Sequence, residues 1–203
     1  MEQYVDALQE IGNIGIGNAA TALATFLSTK VRITVPKAVL VPVEDIFQVI
    51  GGIENAVAAV LQRVDGDLNG TLLFFFPEAN ALGLVSHLLG QSPGSMDEID
   101  GMGQSVMKEV GNILTGSFLT AISVMTQLTI IPSVPMFTFD MLGSIISSSL
   151  LCTGMLEDQV LLIETELSEE DHLASGEFIF FFNVGSLNTL LASLGLLDNK
   201  EEG

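Results

Sequence analysis

Glu10-Ile11-Gly12-Asn13-Ile14 returns as Glu109-Val110-Gly111-Asn112-Ile113, 99 residues further along the chain. The same offset aligns Asp6 with Ser105, Gly17 with Gly116, Ala22 with Ala121, Val35 with Val134 and Pro36 with Pro135. Internal similarity of this length points to a duplication, with a pseudo-twofold fold as its simplest outcome. The chain then reads as one domain made of two repeats, about 1–92 and 93–203. In each repeat three polar residues stand at i, i+4 and i+7: Asp6, Glu10 and Asn13, then Ser105, Glu109 and Asn112. That spacing stacks them on one face of a helix. Val5, Leu8, Ile11, Ala19, Ala22, Leu23 and Phe26 recur at helical spacing around the first set, and Val106, Val110, Ile113, Leu114, Phe118 and Ala121 around the second.

One polar stripe on one helix reads as a solvated face. Its return in register changes the reading, because a solvated face has no packing reason to keep Glu and Asn at fixed spacing through a duplication. The glycines are unusual for helices. Gly12, Gly15 and Gly17, and again Gly111 and Gly116, each cost about 0.5–1 kcal/mol relative to alanine. Either a partner's backbone approaches beside the asparagines, or two helices pack closely there.

Outward from these helices the order of elements repeats. The first helix runs from about Gln3 to Leu27, followed by extended chain at Val31 to Val35, an interruption at Pro36, and more extended chain at Ala38 to Val41. A short helix, Glu44 to Ile50, stops at Gly51-Gly52. Ala56 to Val64 and Thr71 to Phe76 form a hairpin around the turn Asp65 to Gly70, and Pro77 opens a helix to about Leu89. Ser95-x-x-Glu98 has the form of a capping box for the second long helix, which runs to about Thr126. Leu128 to Ile131 and Met136 to Phe139 are extended, and Asp140 to Ser149 is a short helix. Gln159 to Glu166 and Gly176 to Asn183 form a second hairpin across the acidic loop Ser168 to Asp171, and Ser186 to Leu196 is the last helix. The fold class is therefore α+β, with two long motif-bearing helices on a largely antiparallel sheet. Phe74-Phe75-Phe76 and Phe178 with Phe180-Phe181-Phe182 read as strands buried on both faces.

Composition narrows the function. The 203 residues carry 6 basic and 25 acidic side chains, a net charge of −19. That opposes binding to nucleic acid, which needs phosphate neutralisation, and to an anionic membrane surface. It suits a partner with basic residues around its site. Hydrophobic residues at 48% give ample core and exclude disorder. The apolar stretch Leu128 to Met155 is broken by prolines, Asp140 and serines, so it is not a membrane span. No secretory signal stands at the N-terminus, and the lone Cys152 forms no intrachain disulfide and no metal cluster. A cytoplasmic protein is expected.

Three motifs fail on context. Gly15-Ile16-Gly17-Asn18-Ala19-Ala20 fits a dinucleotide fingerprint but follows helical sequence, and no acidic residue falls at Val35 to Val39. Asp65-Gly66-Asp67-Leu68-Asn69-Gly70 starts like a calcium loop, yet the twelfth position is Phe76. Gly90-Gln91-Ser92-Pro93-Gly94 matches the hydrolase elbow but follows a helix, and neither His87 nor His172 lies in a motif.

The pattern [Asp/Ser]-x3-Glu-x2-Asn-x22-Pro, present twice in a chain of this length, resembles the CheC/CheX/FliY family of chemotaxis phosphatases, and most of all its two-site, CheC-type members. The resemblance covers nearly the whole chain, and the extra flagellar switch domain of FliY-type members is not found in it. It implies hydrolysis of the aspartyl phosphate of a CheY-like response regulator, with no cofactor of the phosphatase's own and Mg²⁺ in the receiver. The carboxamides of Asn13 and Asn112 would orient the attacking water, as a glutamine does in GTPases. Glu10 and Glu109 would engage the receiver's lysine. Asp6 and Ser105 would support docking, with Pro36 and Pro135 structural. A surface for the receptor deamidase CheD is implied on the short helix after the second proline, with Asp140, Gly143, Ile145 and Ile146 as candidates. A non-catalytic adaptor binding the receiver or CheD is the alternative, and a monomer with internal pseudo-symmetry is expected.

Overall fold

Strands with phenylalanine on both faces have to be central, because each face then needs its own cover. That is where they lie. The computed structural model describes residues 2–27, 31–92, 94, 96–152, 156–169 and 172–197. They form helix α1 (Glu2–Leu27), strand β1 (Val31–Pro42), a 3-10 turn (Val43–Asp45), α2 (Ile46–Ile50), β2 (Ala56–Gly66), β3 (Gly70–Pro77), α3 (Glu78–Leu88) and α4 (Gly101–Thr126). Then follow β4 (Ile130–Pro132), β5 (Met136–Met141), α5 (Leu142–Cys152), β6 (Leu156–Glu169), β7 (His172–Asn183) and α6 (Ser186–Ser193).

All the strands join one sheet in the order β1-β6-β7-β3-β2-β4, with β5 also on β2, and every ladder is antiparallel. Exchanging first-half strands for their second-half counterparts turns this order into its own reverse. The exchange is physical as well. The strands that precede each half's hairpin pair with the other half's: β1 lies on β6, and β4 and β5 lie on β2. Neither half has a complete sheet alone.

On one face, Phe74, Phe76, Phe178, Phe180 and Phe182 build the main core with α1, α3, α4 and α6. On the other, Phe75 and Phe181 meet Ile46 of α2 and Leu142, Ile145 and Ile146 of α5. The rings of Phe74 and Phe178 lie 4.3 Å apart across β3 and β7, and those of Phe180 and Phe182 stack at 4.2 Å. Such pairs add about 0.5–1.5 kcal/mol beyond area burial.

Several local readings are corrected by competing chemistry. The second long helix does not start at the Ser95/Glu98 box. Asp100 caps it, its Oδ1 accepting from the backbone N–H groups of Met102 (3.0 Å) and Gly103 (2.8 Å). Ser95 lies outside the described residues. The interruption at Pro36 is one of register alone: β1 continues through it as one strand, with a register shift between Thr34 and Lys37 that absorbs the missing N–H. Asp140 lies within β5, which runs on to Met141, rather than opening α5. Ser168 and Glu169 of the expected acidic loop belong to β6, and 170–171 lie outside the described residues. The Asp65–Gly70 segment is the hairpin turn expected, with Asn69 donating to the Gly66 carbonyl at 2.9 Å.

On the second face of the sheet, Glu164 of β6 stands opposite Glu177 of β7 and is bridged to Lys37 of β1 at 3.1 Å. Burial first, and the Glu164 charge second, push the Glu177 carboxyl above its ordinary value of 4.5, with Lys37 pulling the other way. The folded state therefore holds this proton more tightly than the unfolded chain. Its contribution to stability is lost as pH rises from about 4.5 through the raised value. Glu177→Gln is expected to remove that loss and make the protein more stable at neutral pH. Urea unfolding from pH 4.5 to 7.5 checks it, and a variant less stable than wild type at pH 7.5 refutes it.

Candidate functional site

The long helices present their motifs because their other residues are needed below. Leu8, Ile11, Ala19 and Leu23 of α1 and Met107, Val110, Leu114, Phe118 and Ile122 of α4 are buried in the main core. The complementary face leaves Glu10, Asn13, Glu109 and Asn112 exposed. The two helices pack against each other over one face of the sheet, α1 also lying against β1 at one edge and α4 against β2, β4 and β5 at the other. Ser105 is exposed on α4, its hydroxyl donating to the Gly101 carbonyl at 3.0 Å. Asp6 lies on α1 and Pro36 on β1. Their side chains are not among those described.

The glycines separate into two kinds. A methyl group on Gly15 would stand 2.8 Å from the Cα of Phe118, so this glycine is where α1 meets the backbone of α4. One on Gly111 would stand 2.7 Å from the Val60 side chain, so this glycine lets α4 settle on β2. Gly12 faces Val35 with ordinary room (3.5 Å), while nothing lies within 4 Å of a methyl at Gly17 or Gly116. Close internal packing thus accounts for Gly15 and Gly111, and open space beside the motif for Gly17 and Gly116.

The two asparagines differ in what stands behind them. The Oδ1 of Asn112 accepts from Nε2 of Gln62 at 3.2 Å, and the same Nε2 donates to the Ser133 carbonyl at 2.8 Å. Gln62 is 1% exposed, on the face of β2 that lies under α4. The repeat could not reveal it. The signal was a single amide at an inward position of an apolar strand, Val57 to Val64.

The residues named for a partner surface divide. Ile145 (4% exposed) and Ile146 (0%) pack into the second core and are not available to a partner, because this turn of α5 faces the sheet. Asp140 is exposed, its Oδ1 accepting from the Met141 N–H at 2.7 Å, and the Gly143 N–H donates to the Ile53 carbonyl at 2.8 Å. Around Gly143 a shallow depression is lined by Phe47, Ile53, Ser144, Ser147 and Ser148. Among the described residues no helix is long and apolar enough to cross a membrane.

The model of the CheC-like family matches residues 5–40 and 102–138, the segments that run from each motif helix to its proline. The CheY-P phosphatase CheC of Bacillus subtilis (strain 168) is 34% identical over 173 residues, covering 84% of this chain and 83% of that protein. Of solved structures, FliY of Thermotoga maritima superposes with a TM-score of 0.79 at 20% identity, over 96% of this chain and 97% of that one. CheX in its complex with CheY, BeF3 and Mg²⁺ from Borrelia burgdorferi gives 0.52 at 18% identity, over 83% and 96%. The last two show the fold.

The glycine contacts give a stability test. Gly15→Ala is expected to destabilise by about 1–3 kcal/mol, since backbone must move, and Gly111→Ala by a similar amount. Gly17→Ala should be neutral or stabilising by about 0.5–1 kcal/mol. Chemical denaturation of the three variants measures it, and equal effects at Gly15 and Gly17 would rule out the helix contact as the reason for Gly15.

Proposed function

Since the chain belongs to the CheC-like family, we propose that it is a phosphatase that hydrolyses the aspartyl phosphate of a CheY-like response regulator. The observation that carries this reading is the pair of Glu/Asn sets, both exposed, on two helices packed side by side. An acyl phosphate is already reactive, so the helices need supply little beyond a placed water. A carboxamide has a donor and an acceptor on one rigid plane. Asn13 or Asn112 would hold the water in line with the phosphorus as its oxygen attacks. The phosphorus–oxygen bond to the receiver's aspartate then breaks, leaving a free carboxylate and inorganic phosphate.

Glu10 and Glu109 lie one turn before the asparagines and would pair with the receiver's lysine, setting the helix in register. The Mg²⁺ of this chemistry is the receiver's, and no cofactor is assigned to this chain. Its charge of −19 fits a partner with a basic rim. The same reading takes residues 1–92 and 93–203 as duplicated repeats, in keeping with the strand order, and the protein as a cytoplasmic monomer.

A second reading, binding of a CheD-like receptor deamidase, is favoured by the depression beside α5. Its contact residues would be Asp140, Gly143 and the serines of that face, and Ile145 and Ile146 only support them. Charge reversal at Asp140 should weaken such a complex.

The decisive measurement is the decay rate of a phosphorylated CheY-type receiver. Wild type should accelerate it, each single Asn→Ala variant should keep part of that activity, and Asn13→Ala/Asn112→Ala should lose on the order of a hundredfold. Binding without acceleration by wild type would replace the phosphatase with the adaptor.

A further inference from the structure

We propose that Gln62 is a positioning residue for the Asn112 site and that the two Glu/Asn sites are therefore unequal; the inference rests on the phosphatase reading above. β4 ends its pairing with β2 at Val64↔Pro132, and β5 begins at Leu61↔Met136. Gln62 and Arg63 thus lie opposite the segment Ser133–Pro135, where the ladder is irregular and the Ser133 N–H still donates to the Arg63 carbonyl at 2.8 Å. The backbone N–H of Arg63 donates there to Oγ of Ser133 at 3.0 Å and not to its carbonyl. The Gln62 amide serves that carbonyl instead, donating to it at 2.8 Å and to Oδ1 of Asn112 at 3.2 Å. The first bond fixes Gln62, and the second fixes the plane of the Asn112 carboxamide. One lone pair of Oδ1 and both N–H groups of Nδ2 remain for water. A water-orienting amide held from behind loses less freedom on reaching the productive geometry.

Among the described residues the other half shows no such support. The register shift in β1 lies between Thr34↔Glu166 and Lys37↔Glu164, so Thr165 of β6 stands opposite Val35 and Pro36 as Gln62 stands opposite Ser133–Pro135. Threonine is too short for the same task. Thr165 is buried, and its hydroxyl donates to the Gly176 carbonyl at 2.7 Å. No described side chain holds Asn13 in the way that Gln62 holds Asn112.

Gln62 is also a poor choice for packing alone. Its Oε1 is buried with no hydrogen-bond partner among the described residues. An unmet buried acceptor costs stability, which an apolar side chain of the same length would not. A residue that serves the site at the expense of the core predicts that activity and stability separate on substitution.

The test places Gln62→Met in two backgrounds, Asn13→Ala, where only the Asn112 site can act, and Asn112→Ala, where only the Asn13 site can. Steady-state dephosphorylation of the CheY-type receiver and thermal unfolding are measured for all four proteins. In Asn13→Ala, Gln62→Met should lower kcat by about tenfold with KM for the receiver unchanged. In Asn112→Ala it should leave kcat and KM as they were, and the unfolding temperature should change by the same amount in both, so that the loss of activity does not follow stability. Before Gln62 is changed, Asn13→Ala should be the faster of the two backgrounds. Equal losses in both backgrounds, a rise in KM that matches the loss, or an unaffected Asn13→Ala protein overturns the proposal while leaving the phosphatase in place. Failure of wild type to accelerate decay overturns both.

Discussion

The antiparallel pairing of β3 with β7, closed by phenylalanine on both faces, is the constraint on which the rest of the structure depends. Register runs from Gly70↔Phe182 to Phe75↔Glu177, so every rung joins the first half of the chain to the second. Strands this apolar cannot face water on either side, and each face must be roofed by helices. Four helices cover one face and two short ones the other. The strands before each half's hairpin, β1 in the first and β4 with β5 in the second, then close the outer edge of the other half's hairpin. One cooperative unit follows from this, since removing either half exposes the rings of the other.

That roof determines where chemistry can occur. α1 and α4 lie together because their apolar faces share one core, and Gly15 lets α1 approach the backbone of α4 at Phe118. The glycine cost in helix propensity is offset by dispersion contacts over the whole crossing. With the inward faces committed, positions three and four residues apart on the outward faces are free to carry polar groups. The Glu/Asn sets are therefore held by rigid elements rather than loops, and the precision of a site depends on such support.

The long helices, hairpins and motif face were legible in the sequence because they are local: a helical period, a turn, a proline before a helix. What was not legible depends on distant pairing. Nothing near Val31 says that it will lie on Glu169, nor near Met136 that it will lie on Leu61. Asp100, and not the Ser95/Glu98 box, caps α4, because its Oδ1 takes two of the helix's first unpaired N–H groups. Ile145 and Ile146 were named on a helix face whose orientation only the sheet below could fix. Gln62 carried a signal, an amide among inward valines and alanines, but its partner lies 50 residues away on α4.

Matching motifs need not mean matching sites. The repeat keeps Glu, Asn and Pro at equal spacing in both halves, yet the strand beneath each asparagine is supplied by a different hairpin residue. Beneath Asn112 it is a glutamine long enough to reach the amide, and beneath the first proline a threonine occupied with Gly176. The difference arises at a register gap opposite each proline, and in the second half the Ser133 carbonyl there takes a side-chain donor in place of a backbone N–H. How that carbonyl is satisfied is open to change without touching the motif. A duplicated chain can thus hold its reacting groups constant while the groups behind them diverge, and the working strength of each site is set one layer below the residues that define it.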